Sequence, residues 1–89
     1  MKKLFSLGKT VITRAANEAL NQEDVSTAMD KHSVGIWGNL CDEDKQQNNA
    51  ALTNGDRIFS AYVDSNDTKF WIITEADRSC TTVLLPQDY

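Results

Sequence analysis

The spacing of apolar residues changes character near Arg57. From there to Pro86 the chain reads as three short runs with a period of two, the spacing of β-strands. Arg57–Val63 sets Ile58, Ser60 and Tyr62 against Phe59, Ala61 and Val63. Lys69–Thr74 is apolar on both sides, with Phe70 and Ile72 against Trp71 and Ile73, which suits a central strand covered on both faces. Thr81–Leu85 is the third run, and Pro86, which has no amide proton to donate, ends it. Asp64-Ser65-Asn66-Asp67 has the composition of a hairpin loop. These features predict a three-stranded meander.

Upstream of Arg57 the spacing is helical. Thr13 is placed to cap a helix over Arg14–Asn21, whose Ala15, Ala16, Ala19 and Leu20 form a narrow apolar stripe. A second helix, Glu23–Lys31, aligns Val25, Ala28, Met29 and His32 on one face. His32 falls at its C-terminal end, where the helix dipole favours a protonated imidazole. In the loop Ser33–Leu40, Gly35 and Gly38 bracket Trp37, which is predicted to plug the sheet. Asp42 is an N-cap for a third helix over Glu43–Thr53, stopped by Asn54-Gly55. That helix is polar nearly all round until Ala50, Ala51 and Leu52, which predicts a surface position. The β-branched Lys9–Thr13 segment reads as a further short strand able to join the sheet. The predicted fold is a single α+β domain over residues 1–89, with N-terminal helices packed on a small, mainly antiparallel sheet.

Composition narrows the class of function. The net charge of −4 and pI near 4.7 argue against a general nucleic-acid coat. Charge is unevenly spread: Lys2, Lys3, Lys9 and Arg14 lie near the start, while residues 23–56 carry a run of carboxylates that suits either a basic partner or a solvated helix surface. Cys41 and Cys80 are too few for a disulfide framework. Met1–Leu7 has the start of a secretion signal, but Gly8, Lys9 and Thr10 break the run, and no stretch has transmembrane length. A cytoplasmic protein is expected.

Three pieces of chemistry stand out. His32 is the single histidine and the natural general base near neutral pH. With Arg57, Arg78 and a hydroxyl such as Thr81, Ser60 or Thr74, it has the parts to cleave RNA without a metal: the imidazole takes the 2′-hydroxyl proton and a guanidinium stabilises the phosphorane. The plainer reading is a helix-terminal histidine packed beside Trp37. The second is the dense polar loop Glu75-Ala76-Asp77-Arg78-Ser79, a carboxylate–guanidinium display for a partner or simply a charged turn. Trp37, Glu75, Asp77, Arg78 and Ser79 are the binding candidates. Third, His32, Cys41 and Cys80 lack the paired spacing of zinc ligands, and no phosphate-binding glycine loop or nucleophile elbow occurs, so neither a metal nor a cofactor is expected.

The segments His32-x-x-Gly35-x-Trp37-Gly38-x-Leu40, Asp44-x-x-x-Asn48 and Trp71–Pro86 resemble those of a family of short bacterial proteins carried on plasmids and other mobile elements. The resemblance implies a horizontally transferred cytoplasmic protein and brings no activity with it; some members carry a restriction–modification subunit label. A looser similarity, through His32, Arg57, Arg78 and Thr81, is to the barnase/EndoU/colicin/RelE-like ribonucleases, whose toxins are basic where this chain is acidic. Two functions are therefore expected. The first is a non-enzymatic interaction or regulatory factor that binds another protein in a defence, anti-defence or toxin–antitoxin setting; the second is a small metal-independent ribonuclease.

Overall fold

The computed structural model describes residues 3–89; Met1 and Lys2, which open the signal-like start, lie outside the described residues. The elements run β1 (Lys9–Ile12), α1 (Arg14–Ala19), α2 (Gln22–Ser33), α3 (Asp42–Asn54), β2 (Ile58–Val63), β3 (Lys69–Thr74) and β4 (Cys80–Leu84), followed by a 3-10 turn at Pro86–Asp88. This is the predicted α+β fold. The sheet order is β1-β4-β3-β2. The meander β2-β3-β4 is antiparallel, and β1 joins beside β4 in parallel, so the sheet is mixed.

Alternation along the strands sorts side chains onto two faces. One face carries Ile58, Ser60 and Tyr62 of β2, Phe70, Ile72 and Thr74 of β3, and Thr81 and Val83 of β4, all buried. α1 and α2 cover it with Ala16, Leu20 and Ala28, and Ile12, Val25 and Met29 pack at the margin. Fully burying a side chain such as Phe70 or Ile72 contributes about 1.5–3 kcal/mol, so this layer drives folding. Of the predicted α1 stripe, Ala16 and Leu20 are buried while Ala15 and Ala19 are exposed, because a helix this short touches the sheet along one line. On the opposite face Phe59 and Trp71 meet edge to face at 5.0 Å, and Tyr89 closes on Trp71 at 5.8 Å.

Caps follow sequence signals. The Thr13 hydroxyl accepts from the Ala16 amide, and the Asn21 side chain accepts from the amides of Glu23 and Asp24. α3 starts one residue earlier than expected: Asp42 is its first residue and Cys41 the cap, without a side-chain hydrogen bond. Gly55 ends α3 in the left-handed conformation.

α3 lies on the surface, as its polarity predicts, with Asn48 and Ala51 its buried residues. The Asn48 side-chain amide, midway along it, donates to the Phe59 carbonyl at 2.5 Å and accepts from the Phe59 amide at 3.1 Å. One residue pair further along β2, the Asn39 amide donates to the Ala61 carbonyl at 2.7 Å, and the Ala61 amide donates to the Trp37 carbonyl at 3.3 Å. The outer edge of β2 is thus filled by a side-chain amide and a loop, which blocks further strands from adding there. The loop approaches so closely that a Cβ on Gly38 would lie 2.0 Å from the Ala61 carbonyl oxygen.

Candidate functional site

His32 sits where the helical pattern places it, on the sheet-facing side of α2, and is fully buried. Two of the hydroxyls considered as its partners reach it, and a third joins through the second. Ser60 Oγ lies 2.5 Å from Nδ1, Thr74 Oγ1 lies 2.9 Å from Nε2, and Thr81 Oγ1 lies 2.7 Å from Thr74 Oγ1. Thr81 in turn donates to the Leu7 carbonyl at 2.7 Å.

That last contact orients the whole chain, because a carbonyl only accepts. Thr81 commits its proton to Leu7, so it accepts from Thr74; Thr74 commits its own proton, so it accepts from His32. Nε2 therefore carries the ring proton, and Nδ1 accepts from Ser60. A neutral imidazole satisfies both contacts. Its remaining surroundings are apolar, with Phe5 and Trp37 presenting their rings at 5.3 and 5.9 Å. Burial pushes the imidazole down from 6.5 to about 4. The expectation of a dipole-stabilised, protonated His32 is corrected here. The end of a helix offers a cation about 0.3–1 kcal/mol at an exposed site, less than the desolvation of a charge in this core.

The two arginines lie elsewhere. Arg78 occupies a left-handed position in the β3–β4 loop, with φ of 62°. Its side chain turns back to donate to the carbonyls of Asp56 at 2.6 Å, Glu75 at 3.2 Å and Ala51 at 3.1 Å. It thereby ties the loop to the C-terminal end of α3, and its guanidinium lies over Phe5, 5.6 Å from the ring centre. The Phe5 ring therefore neighbours both Arg78 and His32. Arg57 is exposed, donates to the Tyr89 hydroxyl at 2.8 Å and lies over that ring. Of the four nuclease candidates, His32 and Thr81 share one buried chain, while Arg57 and Arg78 serve other contacts.

The binding candidates divide as well. Trp37 is buried, with its indole N–H donating to Asn49 Oδ1 at 3.1 Å, so it offers no open surface. Glu75, Asp77 and Ser79 are exposed, and Asp56 beside them is too. The Ser79 side chain and backbone hold the Asp77 carboxyl below its usual range. Because Arg78 points inward, the charges that the loop itself exposes are carboxylates. Among the described residues the one ion pair is Arg14–Glu18, on α1. No three His, Cys, Asp or Glu side chains converge as metal ligands among the described residues.

Sequence reasoning assigned no role to Asn48, although Asp44-x-x-x-Asn48 is one of the segments that carry the resemblance, and none to Phe5. Asn48 lies in a polar helix face, where an amide gives no sign of burial. Phe5 belongs to a segment without periodicity. Among the described residues no helix is long and apolar enough to cross a membrane. Comparison of the chain with family models, with curated proteins and with solved structures finds no match.

Proposed function

We propose that this chain is a non-enzymatic interaction or regulatory protein of a bacterial mobile element, acting on a basic partner protein through the acidic end around Glu75 and Asp77. One observation carries the reading: the loop's only cation, Arg78, is turned against three main-chain carbonyls, leaving Asp56, Glu75 and Asp77 exposed. Exposed charges of one sign steer association and set its salt dependence more than its strength. A tagged chain, washed at low salt, is expected to retain a partner in stoichiometric amount, with loss on adding salt and in the Glu75→Lys/Asp77→Lys double variant. Equal recovery by the double variant overturns the proposal.

The ribonuclease alternative needs an imidazole that reaches a 2′-hydroxyl. His32 is sealed beneath Phe5 and Trp37 with both ring nitrogens bonded, so the geometry lends that reading no support. RNA cleavage abolished by His32→Gln in a variant that still folds would restore it.

A further inference from the structure

The two edges of the sheet are unlike. On β2 the outward-facing groups of Phe59 and Ala61 are taken by Asn48 and by the Trp37–Asn39 loop. At the two ends of β1 the amides of Lys9 and Thr13 donate to Ser79, just before β4, and to Val83 within it. Alternation therefore turns the N–H and C=O of Thr10 and Ile12 outward, and among the described residues nothing bonds them. Beside this edge, on the helix-bearing face, lies a groove of about 420 Å³ lined by Thr10, Ile12, Gln22, Val25, Met29 and Val83 and by no charged side chain.

We infer that β1 is a self-pairing edge, through which two copies of this chain join antiparallel with Val11 on the twofold axis. An antiparallel hydrogen-bonded pair exchanges both bonds between opposed residues, so Thr10 meets the partner's Ile12 and Ile12 the partner's Thr10. Val11 then faces the partner's Val11 in the close, non-hydrogen-bonded position. This register sets each Lys9 opposite the partner's Thr13, so the two cations at the edge avoid one another. It also brings the two grooves together into one uncharged, mainly apolar seam. Copies that each carry a net charge of −4 can meet here because the groove is uncharged. A second copy is favoured over indefinite stacking, because the blocked β2 edge leaves each copy one open edge and the assembly closes at two.

The test is sedimentation of the full chain from about 1 μM to about 1 mM, with Thr10→Pro as the variant. Proline is tolerated at an outward-facing edge position, since the amide it removes bonds nothing within the copy. The wild type is expected to dimerise, and Thr10→Pro, which deletes two symmetry-related bonds, to do so at least about tenfold more weakly. With Cys41 and Cys80 replaced by serine, Val11→Cys is expected to close into a disulfide-linked dimer on oxidation. Should Thr10→Pro fail to fold, amide exchange in the wild type replaces it: Thr10 and Ile12 must become protected as concentration rises. A wild type that stays monomeric throughout, or a dimer that Thr10→Pro leaves unchanged, overturns the inference.

Discussion

The neutral, buried His32 makes stability depend on pH in a window between about 4 and 6.5. The unfolded chain binds a proton at His32 near pH 6.5, the folded chain only near 4. Between those values the unfolded state holds more protons, so stability rises with pH, levels off above about 6.5 and is lost as pH falls toward 4. At about 1.36 kcal/mol per unit, the full effect is about 3 kcal/mol, of which about 2 kcal/mol is lost between pH 7 and pH 5. For a chain of this size a urea slope of about 1 kcal/mol per molar converts that loss into a midpoint about 2 M lower. Asp64 and Asp77 also have lowered values, and their contribution is lost as pH falls below the ordinary 3.8, outside the window. The assay is urea unfolding followed by tryptophan fluorescence at both pH values, with His32→Gln as control. The variant is expected to be less stable at pH 7 but flat between the two. Because the chain has a single histidine, its imidazole resonance gives the folded value directly. An imidazole titrating near 6.5 in the folded protein, or a wild-type midpoint that does not move, refutes the reasoning.

Other perturbations separate the structural roles. Thr81→Val leaves the Leu7 carbonyl without its donor and Thr74 without its acceptor, and is expected to cost about 2 kcal/mol, while Thr81→Ser keeps most of it; chemical denaturation measures both. Asn48→Ala strips both partners from Phe59 and should lower stability by about 2 kcal/mol, about 8–16 °C in the melting midpoint. Gly38→Ala drives a Cβ into the Ala61 carbonyl and Tyr62 ring and is expected to prevent stable folding, whereas Gly55→Ala, also at positive φ but facing open space, should cost about 1 kcal/mol. Equal melting temperatures for those two glycine variants would sink the account of the Trp37–Asn39 loop.

The strands were legible because alternation depends only on which side of a pleat a residue occupies. Ile58, Ser60 and Tyr62 did share a face, as did Phe70 and Ile72, and Lys9–Ile12 did join the sheet. The parallel placement of β1 beside β4 was not legible, since four residues carry no information about direction. The face of α2 that holds His32 was readable from its spacing with Val25, Ala28 and Met29. The charge state of His32 was not, because Ser60 and Thr74, 28 and 42 residues away in sequence, decide it. Arg78 illustrates the same limit. Its loop was conspicuous, but the left-handed backbone that swings the guanidinium back to α3 depends on where Ala51 and Asp56 end up.

The proton order that begins at Leu7 has a further use. Leu7 lies two residues before the start of β1, and its carbonyl is joined to Thr81 across 74 positions of sequence. If that segment detaches, Thr81 regains a free hydroxyl proton and the direction of the chain is no longer imposed on the imidazole. The ring can then sample both tautomers. The ¹⁵N shifts of His32 therefore act as a gauge, deep in the core, of whether a strand at the margin of the sheet is seated.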